Sequence, residues 1–221
     1  MLLDKLINVI ATPNKVSPGI TAKENKKYYL EVENYDWVKA TDNILGLETF
    51  FHRLRERNIL GVIAKYSKKG KFLDAGCGTG LILRHLPKDS LGVDINPRNI
   101  IKANGHAMGR RVRVADLEKL DLKETFNNII CTEVIEHFLD PGVVTHNLYK
   151  SLRKGGILIG TVPGRSPLWR LRFLSSTRPR EPYHYYFSRA EIGSLLEKAG
   201  FKIISLTHKI FAMEIVFVAE K

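Results

Sequence analysis

The sequence predicts an α/β protein whose parallel sheet is covered by helices on both faces and ends in an antiparallel hairpin. Two observations predict this fold class. From Lys71 onward, short apolar runs alternate with longer amphipathic runs, the pattern of a parallel sheet with crossover helices. Near the end, "FKIISLTHKI" and "MEIVFVAEK" are strand-like runs with no helix between them, which indicates a hairpin.

The five strands before the hairpin are predicted at "KFLDAG", "SLGVDI", "RVRVAD", "FNNIICTE" and "GGILIGTV". Residues 1–60 include "KKYYLEVENYDW" and "ETFFHRLRERNIL", which we interpret as a helical cap or lid. Residues 61–221 are predicted to form the main domain, with an insertion at 164–186. A chain of 221 residues is long enough to bury the core of one such domain.

The composition is that of a globular protein, with 44% hydrophobic and 26% charged residues. Two isolated cysteines, Cys77 and Cys131, cannot build a disulfide framework, so we expect a reducing, cytoplasmic location. Charged residues interrupt the N-terminal "MLLDKLINVIA", which favours an amphipathic helix over a secretory signal. The chain contains no glutamine, a bias that favours a thermophilic source.

The formal net charge of +12 favours anionic partners such as nucleic acid, anionic lipid or a phosphorylated metabolite. A solvated basic surface without any such partner explains the charge equally well.

Three glycines follow the first predicted strand at every second position: Gly76, Gly78 and Gly80 in "KFLDAGCGTG". Such a loop lets a ligand lie against the main chain at the carboxyl end of a parallel sheet, although a simple tight turn is the alternative. A dinucleotide fingerprint would need a further glycine at position 81, which is Leu81. Asp74 would repel a pyrophosphate but suits an ammonium or sulfonium group.

Two further acidic residues indicate what other groups this ligand contains. Asp94 ends the second predicted strand, and 94 minus 76 gives 18 residues from the first glycine, close to the spacing at which a carboxylate binds ribose hydroxyls. Asp116 follows the third strand and could accept from an exocyclic amine, while Ile95 and Leu117 supply apolar walls for a flat base. The pattern therefore predicts an adenosine without phosphates.

The motifs "LDAGCGTG", "GVDIN", "ADLEKL" and "EVIEH", with the closing hairpin, resemble the class I S-adenosylmethionine-dependent methyltransferases. The resemblance is greatest to the small-molecule branch that includes the ubiquinone-biosynthesis O-methyltransferases. It implies a Rossmann-like seven-stranded sheet in the order 3-2-1-4-5-7-6, with strand 7 antiparallel. The implied cofactor is S-adenosylmethionine, with Asp74 and the glycines on its methionine part, Asp94 on its ribose and Asp116 on its adenine.

The resemblance also implies further cofactor contacts. Cys77 within the glycine loop and Thr132 at the end of the fourth strand are expected to line the site. The family often uses a basic residue before the first strand to bind the methionine carboxylate, and Arg55 in "FFHRLRERNIL" matches that spacing. A solvated helix face is the alternative explanation for these arginines.

The fourth strand ends in "CTEVIEH", where catalytic residues are expected. In a helical turn, Glu133, Glu136 and His137 would share one face and act on a hydroxyl acceptor as a base or as ligands of a divalent metal. His184 is the expected fourth member. Alternatively, Glu133, Glu136 and His137 form hydrogen bonds within the loop and have no catalytic role. His184 could likewise be a turn residue whose ring nitrogens are hydrogen-bonded within the fold.

The segment 165–180 combines five arginines with apolar side chains and contains no acidic residue. It could lie on an anionic membrane, grip RNA phosphates, or cover the acceptor pocket as a lid. In the resembling family this segment lies beside the acceptor.

The function expected from these patterns is methyl transfer to a small-molecule or lipid-like acceptor, at oxygen. One alternative is an RNA methyltransferase, although no aromatic N-P-P-Y-type motif follows the fourth strand. Another is a non-catalytic, cofactor-binding subunit that supports a partner protein.

Overall fold

The computed structural model describes residues 15–16, 19–33, 35–42, 47–169 and 181–221. In this part of the chain a seven-stranded sheet contains the strands β1 (Phe72–Ala75), β2 (Leu91–Asp94), β3 (Arg111–Val114), β4 (Phe126–Thr132), β5 (Leu152–Pro163), β6 (Lys202–Lys209) and β7 (Glu214–Glu220). Their order is β3-β2-β1-β4-β5-β7-β6. Strands β1 to β5 are mutually parallel, whereas β7 runs antiparallel to both β5 and β6. The predicted fold class and strand order are confirmed.

The central strands are buried on both faces, and successive side chains alternate between two apolar clusters. Leu73, Ile129 and Leu158 are in register on one face, where they pack with buried residues of the helices at 141–151 and 189–198. Ile130 and Ile159 belong to the other face, with the helix at 47–66. Burial on both faces explains why these strands read as continuous apolar runs.

The described residues form six α-helices: α1 (Ala22–Glu31), α2 (Trp37–Asp42), α3 (Leu47–Tyr66), α4 (Pro97–His106), α5 (Pro141–Ser151) and α6 (Arg189–Lys198). Their starts have local causes. Thr21 and Ser188 form capping boxes at α1 and α6, and Asn96 and Asp140 cap α4 and α5 ahead of a proline. None of these helices combines the length and the apolar character needed to cross a bilayer.

The alternation of strand and helix is less strict than predicted. In the run "LILRHL" after the glycine loop, the predicted alternation of strand and helix would place a crossover helix, and the structure has turns and a short 3₁₀ helix at Leu83–His85. Pro87 disfavours helical geometry in Leu86, the residue before it, so this short run ends before a regular α-helix is established. Between β3 and β4 the described element is likewise a 3₁₀ turn, Leu117–Lys119.

The predicted cap boundary at residue 60 falls inside α3. Ile59 and Ile63 of this helix are buried in the same apolar cluster as Phe72 of β1. A two-residue strand, Lys15–Val16, pairs antiparallel with Tyr183–His184. The amphipathic helix predicted over residues 1–11 lies outside the described residues.

Candidate cofactor and acceptor site

The glycine loop after β1 requires its glycines. Gly76, Gly78 and Gly80 have φ values of 79°, 52° and 93°, a region that residues with a side chain rarely adopt. A Cβ on Gly76 would lie 2.4 Å from a methyl carbon of Val134. The loop therefore presents bare main chain at the carboxyl edge of the sheet.

Cys77 contributes differently from the expectation. Its thiol is buried against β2, because a Cβ built on Gly92 would lie 3.0 Å from the Cys77 Sγ. Burial raises the pKa of this thiol well above its usual value, and the nearby Asp74 adds to the effect. The side chain is thus a packing group, and only the backbone of Cys77 belongs to the bare loop.

Asp94 joins the glycine loop to the start of α4. Its carboxylate accepts hydrogen bonds from the amide N–H of Gly78 at 3.0 Å, the amide N–H of Asn96 at 2.8 Å and the Asn99 side chain at 3.2 Å. Burial nevertheless raises the pKa of this carboxyl group. The loops themselves therefore hold the Asp94 carboxylate in place at the end of β2, where a ribose is expected.

Asp74 has a buried carboxylate oxygen without a hydrogen bond from the described residues. It is 1% exposed, and its Oδ2 has no hydrogen-bond partner among the described residues. Burial, and then the charge of Asp94, raises the pKa of Asp74 to about 7. A buried carboxylate oxygen without a partner suits a cationic ligand that would complete it.

Asp116 is bound by a residue that the sequence did not indicate. One oxygen accepts from the amide N–H of Glu118 at 3.0 Å, and the other forms an ion pair with Lys26 of α1. Lys26 Nζ also lies 2.9 Å from the Glu118 carboxylate. Leu117 is buried and Ile95 half-buried beside this edge, as apolar walls for a base should be.

Helix α1 crosses the carboxyl ends of three strands. Besides the Lys26 ion pair, the Asn96 side chain donates to the carbonyl oxygens of Tyr29 at 3.0 Å and Val32 at 2.8 Å. On the other side, the Asn25 side chain donates to the His137 carbonyl oxygen at 2.7 Å, and the Tyr29 hydroxyl lies 2.8 Å from His137 Nδ1. One helix thus connects the loops after β2, β3 and β4.

Glu133 does not share a helical face with Glu136 and His137. It follows Thr132, the half-buried last residue of β4, with a left-handed φ of 54°, and the 3₁₀ turn begins only at Ile135. The expected single turn is therefore broken, and the Glu133 carboxylate accepts from the Thr161 hydroxyl at 3.1 Å.

Arg55, which is expected to bind the carboxylate of the cofactor, pairs through its guanidinium with two carboxylates of the chain. It forms an ion pair with Glu133, and its Nε lies 3.2 Å from Glu214 Oε1. Burial alone would lower the pKa of Arg55, but the negative charges of Glu133 and Glu214 outweigh this effect and raise the pKa. Glu214, at the start of β7, is a partner that spacing could not have predicted.

Glu136, His137 and His184 do lie together. Glu136 is 1% exposed, with no hydrogen-bond partner for either oxygen in the described ranges. Burial, and then the charge of Glu133, raises the pKa of Glu136 well above its usual value. The nearest His137 nitrogen, Nε2, is 3.9 Å from Glu136 Oε1, and the His137 and His184 rings are 5.3 Å apart.

The metal-capable cluster differs from the predicted set of Glu133, Glu136 and His137. Ligand atoms of His137, Glu181 and His184 all lie within 4.8 Å of one another. His184 Nδ1 is 2.9 Å from Glu181 Oε2, near enough for an ion pair but at an angle unsuited to a hydrogen bond. Glu133 is replaced because Arg55 holds it elsewhere. Two imidazoles and a carboxylate are a donor set that divalent transition metals accept.

The described start of the insertion packs against Tyr186, whose ring lies 4.8 Å from that of His184. Trp169 donates to the Gly164 carbonyl oxygen at 2.9 Å, and its ring lies 5.5 Å from that of Tyr186. Arg165 pairs with Glu191 at 2.5 Å, so its charge is already balanced within the fold. The other four arginines of the segment, at positions 170, 172, 178 and 180, lie outside the described residues.

Comparison with known proteins identifies the family. A family model described as "Methyltransferase domain" matches residues 47–206. The ubiquinone biosynthesis O-methyltransferase of Azorhizobium caulinodans is 29% identical over 157 residues, which cover 64% of this chain and 62% of that relative. The protein of the same name from Xanthomonas axonopodis is 25% identical over 176 residues, 72% of this chain and 74% of the relative.

Solved structures share the fold. A magnesium protoporphyrin IX methyltransferase from Synechocystis with bound S-adenosylhomocysteine superposes with a TM-score of 0.69 at 18% identity, over 89% of this chain and 97% of that one. A possible histamine N-methyltransferase from Thermotoga maritima gives 0.65 at 24% identity, over 84% and 99%.

Proposed function

Because the chain belongs to the methyltransferase domain family, we propose that it transfers a methyl group from S-adenosylmethionine to a hydroxyl of a small-molecule or lipid-like acceptor. One observation carries the cofactor: a bare glycine loop lies beside Asp74, whose buried Oδ2 has no partner among the described residues. The names of the O-methyltransferase relatives support oxygen as the accepting atom.

The residues present fit this cofactor. Asp74 would bind the ammonium group of the methionine part, and the turn at Gly76 and Gly78 would let the ligand approach the main chain. Asp94 would accept from the ribose hydroxyls, with its carboxylate already held by the loops. Asp116 would accept from the adenine amine, next to Leu117.

When bound, S-adenosylmethionine supplies an electrophilic methyl carbon next to a positively charged sulfur. The chain must align the acceptor oxygen with that carbon and remove its proton. Burial, and then the charge of Glu133, raises the pKa of Glu136, which disfavours its ionised form, whereas the His137 ring lies beside it and is less buried. We therefore assign proton acceptance to His137 and orientation of the acceptor to His184 and its neighbours.

A divalent metal at His137, Glu181 and His184 is the second way to activate a hydroxyl. The three side chains converge, and a metal there would lower the pKa of a bound hydroxyl. Removal of metal with a chelator should abolish turnover if the cluster acts in this way. Full activity after chelation would leave the histidines as acid–base groups.

We also propose a cytoplasmic protein from a thermophilic source that attaches peripherally to anionic membranes through the segment 165–180. The proposal rests on the arginine-rich composition of the segment, the two unpaired cysteines and the absence of glutamine. Flotation with anionic and neutral vesicles tests the attachment. A variant with Arg170, Arg172 and Trp169 changed to Ser should be recovered less from anionic vesicles than the parent.

Labelled S-adenosylmethionine tests the acceptor class. The protein is incubated with the lipid, small-metabolite and RNA fractions of its source organism, and the fraction that gains label is identified. Label in lipid or small metabolites supports O-methylation if the labelled product carries no methylated amine. Label in RNA would favour the nucleic-acid alternative, and no label in any fraction would favour a non-catalytic subunit.

A further inference from the structure

The hydroxyl of Tyr29 lies between two groups at the acceptor end of the site. Its oxygen is 2.8 Å from His137 Nδ1 and 3.3 Å from the carbonyl oxygen of Tyr183. A carbonyl oxygen can only accept a hydrogen bond, whereas a neutral imidazole nitrogen donates or accepts according to the tautomer.

When the His137 ring is neutral, only one arrangement of protons satisfies both contacts. The phenol of Tyr29 has a single proton, which it donates to the Tyr183 carbonyl oxygen. The phenol oxygen then accepts from Nδ1–H of His137. In the opposite arrangement, two acceptor oxygens would face each other at 3.3 Å without a proton between them.

We infer that Tyr29 is a positioning residue that holds His137 in the tautomer with its proton on Nδ1, so that Nε2 is the unprotonated nitrogen. The value of this tautomer for catalysis rests on the proposed function. An unprotonated Nε2 is required whether His137 accepts the proton of a hydroxyl or binds a metal.

The surroundings of His137 support a fixed ring. The Tyr29 ring packs against it with centroids 4.8 Å apart, and the His184 ring lies 5.3 Å away. Asn25, four residues before Tyr29 on α1, holds the backbone of His137 through its carbonyl oxygen at 2.7 Å. Burial raises the pKa of the Tyr29 phenol, which therefore keeps its proton.

Helix α1 thus supplies both the group that fixes the tautomer and the group that fixes the backbone. The same helix contacts Asp116 through Lys26. The contacts of α1 with the cofactor loops and its contacts with His137 therefore form together.

Nitrogen NMR of the imidazole rings tests the inference on the full chain with S-adenosylhomocysteine as the probe. Spectra are recorded at a pH where the ring is neutral, and the His137 signals are identified by their loss in His137→Gln. We expect a pyridine-like signal for Nε2 and a pyrrole-like signal for Nδ1. The reverse pattern would overturn the inference without the need for any Tyr29 variant.

Tyr29→Phe removes the hydroxyl and keeps the ring. We expect the His137 signals to shift toward a mixture of tautomers, and kcat to fall by roughly tenfold or more while KM for S-adenosylmethionine stays within about twofold. Tyr28→Phe, the neighbour on the same helix, should change neither. Unaltered His137 signals in Tyr29→Phe would refute the role. The NMR result does not need turnover, so failure of methyl transfer would count against the proposed function alone.

Discussion

The two halves of the sheet's carboxyl edge hold their carboxylates by different means. At the β1–β3 half, Asp94 accepts two hydrogen bonds from the backbone of adjacent loops, Gly78 and Asn96. At the β4–β7 half, Glu133 depends on Arg55 of a distant helix, and Glu136 has no hydrogen-bond partner within the described ranges. Local backbone thus organises the cofactor half, and long-range packing organises the acceptor half.

This difference leads us to expect that substitutions in the first half change cofactor affinity, whereas substitutions in the second change turnover or stability with little effect on affinity. Cofactor affinity and kcat measured for both sets of variants would show whether the two halves contribute to different quantities or to the same ones.

The largest effect is expected from Gly76→Ala. The new methyl group would stand 2.4 Å from Val134 in a left-handed backbone, so the loop must move away from its cofactor-binding position. Calorimetry should show S-adenosylhomocysteine affinity reduced by about 100-fold or more, on the scale of a site displaced by about an ångström. Gly105→Ala in α4 is the matched control, because its Cβ would meet open space. Equal affinity in both variants would show that the loop does not contact the ligand.

Asp94→Ala should weaken S-adenosylmethionine binding by about 1.5 to 3 kcal/mol, the scale of lost hydrogen bonds to a charged group. The same change should leave the His137 and Glu136 side unaltered, so kcat at saturating cofactor should stay close to the parent value. Titration calorimetry and initial rates measure the two effects. An affinity equal to that of the parent would place the ribose elsewhere.

Cofactor affinity should depend on pH through Asp74. Its pKa of about 7 in the unliganded protein lies above the usual value, so a proton competes with the ammonium group below that pH. Affinity should fall by about tenfold per pH unit below 7 and level off above it. The same shift makes the unliganded fold less stable as pH rises from about 4 to 7, since the folded state binds the extra proton. Asp74→Asn should flatten both profiles, and a slope retained in that variant would assign it to another group.

In the acceptor half, Glu136→Gln should change stability with pH and leave affinity alone. The raised pKa of Glu136 means that stability is lost as pH rises above the unfolded value of the carboxyl group, and an amide lacks this dependence. Thermal unfolding should therefore favour the variant progressively as pH increases. Parallel curves for the two proteins would indicate that Glu136 is ionised in the native state.

The smallest effect is expected from Lys26→Met. The ion pairs of Lys26 with Asp116 and Glu118 are partly exposed to solvent, and such pairs contribute at most about 1 kcal/mol. Cofactor affinity should change by no more than about fivefold, measured by calorimetry. A larger loss of affinity would mean that Lys26 contributes more to cofactor binding than a partly exposed ion pair can.

Local patterns predicted the strands and the closing hairpin, and the family resemblance implied their order in the sheet. The residues expected to bind the cofactor could be placed at one edge of the sheet because they follow the strands directly. Alternating apolar runs define the strands, and Gly76, Asp94 and Asp116 stand at fixed distances from strand ends. The acceptor half was predicted less well. The left-handed backbone at Glu133, its capture by Arg55 and the entry of Glu181 into the histidine cluster all arise from contacts between distant segments. Spacing along the chain carries no signal for such contacts.

Helix α1 bridges the loops after β2, β3 and β4, and we expect it to govern how quickly ligands exchange. In the proposed binding mode, the cofactor lies beneath this helix and cannot enter or leave until its contacts with Asn96, Asp116 and His137 separate. Such local openings are slower than diffusional encounter and limit turnover in many enzymes. Release of the demethylated cofactor, and with it the length of the catalytic cycle, should then be set by detachment of a helix whose side chains hold Asp116 and His137 and do not touch the reacting atoms.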